Sequence, residues 1–289
     1  MWRWWLATRA RWLGHRGDRE RLAGRYDAAE RLLCQAVGCA EHALGPDDIR
    51  TAMLLNDLGI VHKYQGRYRD GARAYLCAAR ALRKRAGREH LLMATLYHNL
   101  GGLEHARGRY ARAEPFARRA VAIRERALGG DHPDVAADVA ALAGILDGQE
   151  RHAEGEALHR HALAIFERRF GAEHRDIAAA LSNLAACCHA MGRAAEAEPL
   201  AQRAATMKEK LLGPTHPAVA VSLTNLAVIQ KSQGRVAEAD ALYQRALAIF
   251  ETRLGMEHPS TVTCRENHQN LRSDTGTPRG DEAVRAGNA

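Results

Sequence analysis

Fifteen histidines and six cysteines among 289 residues could build a metal centre or an acid–base pair, so their spacing decides whether either exists. Five histidines keep one interval: His90, His132, His174, His216 and His258 each stand three residues after a glycine, and Asp48 fills the slot in the first copy. Ligands of one zinc must each reach it at about 2 Å, whereas stacked helical hairpins lie roughly 8 to 10 Å apart. Histidines placed one to a hairpin are therefore turn residues. Glu156-Ala-Leu-His159 has the Glu-x-x-His spacing of carboxylate-bridged metal bundles, but such a site needs two of these motifs and two further glutamates. No H-E-x-x-H, P-loop, G-x-S-x-G or G-x-G-x-x-G occurs, and Gly101-Gly102 falls mid-helix rather than in a phosphate cradle. The cysteines form no C-x-x-C, so they indicate neither a zinc knuckle nor a disulfide framework and read as small core residues. No catalytic residue, metal or cofactor is implied, and the chain reads as a non-enzyme.

The elements that carry these residues repeat. A Gly-Arg pair recurs at Gly24-Arg25, Gly66-Arg67, Gly108-Arg109, Gly192-Arg193 and Gly234-Arg235, with Glu150-Arg151 in the vacant slot, and each step is 42 residues. A second glycine series, Gly45, Gly87, Gly129, Gly171, Gly213 and Gly255, keeps the same phase. Two markers in register signal a solenoid, in which a unit too small to bury its own apolar face stacks on its neighbours. Leu58, Leu100, Leu142, Leu184 and Leu226 share a column, each followed by Gly or Ala; Ala36, Ala78, Ala120, Ala162, Ala204 and Ala246 share another. An invariant alanine column is what a tight helix crossing requires.

Composition agrees. The chain is 46% hydrophobic but only 5% aromatic, so its core is built from alanine and leucine. No apolar run reaches the roughly 18 to 20 residues of a membrane span, and the Trp-Arg start lacks the uninterrupted apolar region of a secretory signal. A soluble, cytoplasmic protein is expected. Of the net charge of +8, residues 1–25 supply +5 through seven arginines against Asp18 and Glu20. The repeat body carries only about +3, too little for a stripe that holds a phosphate backbone, and no nucleic-acid partner is expected.

In chain order, residues 1–23 read as a degenerate capping helix with Trp2, Trp5, Leu6, Trp12 and Leu13 near one face. Residues 24–272 read as the repeat array: one half repeat, five full hairpins and a closing helix near Pro259. The hairpins are expected at about 47–64 with 67–86, 89–106 with 109–128, 131–148 with 151–170, 173–191 with 193–212 and 215–233 with 235–254. The residue before each first helix is placed to cap it, the proline of each His-Pro suits the first helical position, and the second glycine series supplies left-handed C-caps. Residues 273–289 lack any period and read as a disordered tail.

The pattern Leu223-x-x-Leu226-Ala227, Gly234, Ala239, Tyr243, Ala246 resembles the tetratricopeptide repeat (TPR) signature. The 42-residue period, with Asn225-Leu226-Ala227 and Leu254-Gly255 followed by His258-Pro259, is similar to the long-repeat subfamily typified by kinesin light chain. HEAT and armadillo arrays share the period but lack this glycine turn with its paired alanines. The resemblance implies an all-α, right-handed superhelical solenoid of antiparallel hairpins. It also implies an extended peptide of a protein partner bound in a concave groove lined by the first helices. It does not imply a motor subunit, since no heptad coiled coil precedes the repeats here.

On that resemblance the groove columns can be named. One holds Asp57, Asn99, Ala141, Asn183 and Asn225. Asparagine is a poor helix former, so its recurrence asks for a reason. Two remain open: a carboxamide can pair with an extended peptide backbone, or it can tie neighbouring repeats together. Neighbouring columns add Asn56, His98, Ser182 and Thr224, then Lys63, His105, His189 and Lys231 near the helix ends. A second reading makes the chain a structural assembly subunit that docks through its outer surface and its Trp/Arg-rich N-terminus, with the groove unused. The third hairpin breaks several rules at once, with Asp138 for leucine, Ala141 for asparagine, interior Gly144 and Gly148, and Glu150 for the turn glycine. That predicts a soft point over 131–170.

Overall fold

The computed structural model of the chain describes residues 2–274, and these form thirteen α-helices with no strand. The chain divides into two compact units, residues 1–151 and 152–289.

The first unit holds α1 (Trp2–Leu22), α2 (Tyr26–Leu44), α3 (Ile49–Tyr64), α4 (Tyr68–Ala86), α5 (Leu91–Ala106), α6 (Tyr110–Leu128) and α7 (Pro133–Asp147). Sequential helices pack as hairpins, α1 on α2, α3 on α4 and α5 on α6, and each first helix also touches the next one, α1 to α3, α3 to α5 and α5 to α7. The second unit holds α8 (His152–Phe170), α9 (Arg175–Ala190), α10 (Ala194–Leu212), α11 (Pro217–Ser232), α12 (Val236–Leu254) and α13 (Pro259–Asp274). Here α9 pairs with α10 and α11 with α12, while α9, α11 and α13 follow one another. The closing helix runs one turn's edge past the expected end of the array at residue 272, and residues 275–289 of the expected tail lie outside the described residues.

Caps set the helix bounds. His90, His132, His174, His216 and His258 each accept, at Nδ1, the backbone N–H two residues on, at 3.1 to 3.3 Å, and Asp48 does the same for Arg50 at 2.9 Å. The periodic histidines are N-caps, which is why the first helices begin about two residues later than the glycine-based estimate. Each hairpin turn closes with a six-to-one backbone bond, as in Arg67 N–H to the His62 carbonyl at 2.8 Å and Arg235 to Gln230 at 3.0 Å. This Schellman closure needs a left-handed residue in between. Gly66 and Gly234 supply it at φ 72° and 76°, and Glu150 is forced into the same state at φ 62°.

The alanine column Ala36, Ala78, Ala120, Ala162, Ala204 and Ala246 is wholly buried, and Leu58, Leu100, Leu142, Leu184 and Leu226 line the core beside it. Two expectations need correction. In α1 the buried face is Leu6, Ala10, Leu13, Gly14 and Gly17, while Trp2, Trp5 and Trp12 are 72%, 47% and 54% exposed. The reason is closeness: a Cβ on Gly14 would come within 2.6 Å of Leu54 Cδ2, and one on Gly17 within 2.8 Å of Leu33 Cγ, so indole rings have no room on that side. The cysteines are not all core residues either. Cys187, Cys188 and Cys264 are buried, but Cys34 and Cys77 are exposed and Cys39 is half-buried. Cys34 and Cys77 stand two and one residues before buried Ala36 and Ala78, roughly 200° and 100° around the helix.

Candidate functional site

The repeated Gly-Arg pair has an electrostatic purpose that the sequence alone did not reveal. Arg67, Arg151, Arg193 and Arg235 reach back to Glu30, Glu114, Glu156 and Glu198 of the preceding second helix, at 2.6, 2.9, 2.5 and 2.5 Å. Hydrogen bonds from Gln149, Arg118 and Arg151 hold the Glu114 carboxyl down at about 2. Arg109 departs from the ladder because Ala72 stands where the others have glutamate; it lies 3.9 Å from Glu104 instead. Much of the arginine excess therefore stitches repeat to repeat. Glu156, the acid of the Glu-x-x-His motif, is occupied by Arg160 and Arg193, and His159 is buried.

In the first unit several of the expected groove residues are engaged in hydrogen bonds from helix to helix. Asn99 Nδ2 donates to Asn56 Oδ1 at 2.7 Å, joining α5 to α3, and His98 Nδ1 meets Asp138 Oδ1 at 2.7 Å, joining α5 to α7. Asp138 is 1% exposed and also receives Arg124 Nη1 of α6 at 2.7 Å, while Arg124 Nη2 donates to Thr95 at 3.0 Å. A residue that looked like a break in the leucine column is the counter-ion of a nearly buried arginine. Asp57 is half-buried, and burial, with Asp18 adding to it against a weak Asn56 bond, pushes its carboxyl up to about 6. Lys63 lies 5.3 Å over the Tyr64 ring with its ammonium pushed down by burial. His105 packs edge-on against Tyr110, and burial lowers its pKa against a bond to the Gly144 backbone. Asp57 also borders a cleft of about 480 Å³ between α1, α2 and α3, walled by Trp4, Ala7, Leu44, Met53 and Leu54.

The second unit presents the same columns differently. Asn183 and Asn225 are exposed and hydrogen-bond to no described residue, and Lys231 is half-buried. Thr224 donates to the Ala220 carbonyl and touches Cys264 Sγ at 3.4 Å. Ser182, His189 and Asn225 line a pocket of about 120 Å³ between α9 and α11, together with Ser222 and Val228. Lys208 of α10 reaches into its wall: Nζ donates to Ser182 Oγ at 2.9 Å and to Ser222 Oγ at 2.8 Å. Sequence reasoning missed Lys208, Ser222, Arg124 and the partner of Asp138. The available signal was Asp138 and Ser222 in one otherwise apolar column, with Arg124 and Lys208 in another, each pair two periods apart.

Models described as tetratricopeptide repeat match residues 8–85, 135–210 and 176–252, and a second such model matches 93–134. The chain belongs to the tetratricopeptide repeat family. No curated protein matches this TPR chain significantly. Among solved structures it is similar to a Podosopora anserina protein described as a kinesin light chain of nearly identical TPR-like repeats. That match has 23% identity and a TM-score of 0.60, covering 72% of this chain and 96% of that one. It is also similar to BtubC (BKLC) from P. vanneervenii, at 21% identity and TM-score 0.62, covering 88% and 94%. A third match is to a chain of the APC/C hetero-tetramer Cut9-Hcn1, at 14% identity and TM-score 0.65, covering 91% and 42%. At these identities the likeness shows the fold alone, a TPR solenoid; arrays of the tetratricopeptide repeat family are generally scaffolds for protein–protein interaction. No helix among the described residues is long and apolar enough to cross a membrane.

Proposed function

We propose that this TPR protein is a non-catalytic cytoplasmic scaffold that holds an extended segment of a protein partner against its first helices. The observation that carries the reading is the pair Asn183 and Asn225: two exposed carboxamides in one column with no bond to any described residue, of which Asn225 lines a pocket. An extended peptide offers both donors and acceptors along its length, and a carboxamide answers both. Among the described residues no hydrogen bond uses these side chains, which separates them from Asn99.

A second reading is favoured by a different observation. Trp2, Trp4, Trp5 and Trp12 are all exposed on α1, with Arg9 and Arg16 stacked on Trp5 and Trp12 at 5.1 and 4.7 Å. Such a surface suits assembly into a larger complex through the outside of the array. One experiment separates the two. Peptide-display libraries are panned on the full chain, on the Asn183→Ala/Asn225→Ala variant and on a variant with Trp2, Trp4 and Trp5 changed to serine. The groove reading expects selected segments to lose at least about tenfold in affinity on the asparagine variant and to be unaffected by the tryptophan changes. The converse pattern replaces it with the assembly reading.

A further inference from the structure

The helix α1 carries all four tryptophans of the chain, Trp2, Trp4, Trp5 and Trp12, and leaves every one exposed. Within the first unit α1 packs on α2 and touches α3, with Leu6, Leu13, Gly14 and Gly17 buried, and no other helix of that unit reaches it. At 3.6 residues per turn, Trp2, Trp5, Arg9, Trp12, Arg16 and Arg19 fall within an arc of about 100° on the exposed side. They form one ordered ribbon. The Trp2 and Trp5 rings stack at 5.7 Å between centroids, Arg9 lies 5.1 Å over Trp5, and Arg16 lies 4.7 Å over Trp12.

The ribbon is cationic as well as aromatic. The two acids of residues 1–25, Asp18 and Glu20, are bound by Arg21 and Arg25, and Arg9, Arg16 and Arg19 pair with no carboxylate among the described residues. That charge selects the occupant. A second copy of the chain would set +5 against +5, and a nucleic acid would find one face of Trp5 and of Trp12 already taken by a guanidinium. Indole and guanidinium alternate along about 25 Å of helix, so a protein surface would have to alternate pockets and acids at the same interval. A fluid headgroup layer rearranges around them: indoles settle at the boundary of headgroups and hydrocarbon, and the planar guanidinium fork fits a phosphate. Because Leu6 and Leu13 are spent on the core, no aliphatic row pushes deeper, and anionic headgroups must supply the attraction.

We propose that this face of α1 seats the protein on an anionic bilayer surface, the indoles lying at headgroup level and Arg9, Arg16 and Arg19 on lipid phosphates. The contact uses none of the groove residues and so goes beyond the scaffold reading. It gives to a membrane the surface that the assembly reading gives to a protein complex, and it needs no helix that crosses the bilayer.

Since every tryptophan lies on α1, the tryptophan emission of the full chain reports this helix alone. The chain is titrated with vesicles of phosphatidylcholine containing about one-third phosphatidylserine, and with vesicles of phosphatidylcholine only, while emission and co-flotation are followed. A blue shift and co-flotation with the mixed vesicles only, reversed by salt, support the proposal. Arg9→Gln/Arg16→Gln/Arg19→Gln and Trp5→Ser/Trp12→Ser are each expected to bind at least about tenfold more weakly. Their circular dichroism and thermal unfolding should match the native chain, because these side chains are exposed. Equal binding to both kinds of vesicle, or binding that survives the arginine variant, overturns the proposal. Absence of any shift overturns it too and leaves the face to the assembly reading. Oligouridylate in place of vesicles, and sedimentation velocity without lipid, cover the other occupants. Emission shifted by oligouridylate but not by mixed vesicles overturns the proposal in favour of nucleic acid. A dimer that is lost in the tryptophan variant, with no vesicle binding, overturns it in favour of a second copy.

Discussion

Two walls built from the same columns are finished in opposite ways. In the first unit Asn99 is tied to Asn56, and His98 and Arg124 converge on Asp138. In the second, Asn225 bonds to nothing described, and Lys208 has only hydroxyls. The difference comes from small changes at matched positions. The residue 43 before Asn225 is Ser182, too short to meet the amide and already engaged by Lys208 and the Ala178 carbonyl, whereas 43 before Asn99 stands Asn56. A solenoid stacks whichever groups the columns supply; side chains that satisfy one another hold the stack, and those left over remain available to a ligand.

The largest test of that contrast is at the two buried cations. Asp138→Ala strands Arg124, whose side chain is 12% exposed, and is expected to cost about 3–5 kcal/mol in urea unfolding. Arg124→Met with Asp138→Leu removes both charges and should return most of that loss. Lys208→Met has no counter-ion to strand and is expected to leave stability unchanged or raise it by about 1 kcal/mol. Equal losses from Asp138→Ala and Lys208→Met would erase the distinction between the walls.

A smaller effect separates the asparagines. Asn99→Ala leaves the half-buried Asn56 carbonyl unpaired and should cost about 1 kcal/mol. Asn225→Ala loses no bond and gains helix propensity, so it should be neutral or stabilising by about 0.5 kcal/mol. Thermal unfolding of the two single variants measures both. A loss at Asn225 as large as that at Asn99 would mean that the second wall is stitched too.

Much of this was legible in the chain. Period, hairpins and the buried alanine column followed from residue type at fixed phase, because each is dictated locally and repeated. Trp2, Trp5 and Trp12 misled because apolar character predicts burial only where there is space, and the space beside Leu33 and Leu54 admits glycine. The Arg124–Asp138 pair joins different helices 14 residues apart, so no helical spacing announces it; Asp138 showed only as an irregularity. The asparagine column was visible, but which member is free depends on the opposing side chain, a contact that one column cannot reveal. The groove residues as a set are a proposal, which rests on the exposed amides Asn183 and Asn225.

The finest contrast lies within the hairpin turns. Glu150 adopts φ 62° to make the same closure, Arg151 N–H to the Leu146 carbonyl at 3.0 Å, that glycine makes elsewhere. A non-glycine residue pays roughly 1–2 kcal/mol for the left-handed state, partly offset because glycine loses more freedom on folding. Glu150→Gly should therefore stabilise by about 0.5–1 kcal/mol, while Gly192→Ala, at φ 75°, should destabilise by about 1 kcal/mol. Gly148 is not open to the same repair, because a Cβ there would come within 2.4 Å of Tyr110 Cε1. If the strain at residue 150 makes the chain around it soft, amides of 131–170 exchange faster than those of the flanking repeats in the native chain, and Glu150→Gly slows them. Exchange equal to the neighbours in the native chain would remove the soft point. A stabilising Glu150→Gly that leaves exchange unchanged would assign the softness to the interior glycines instead.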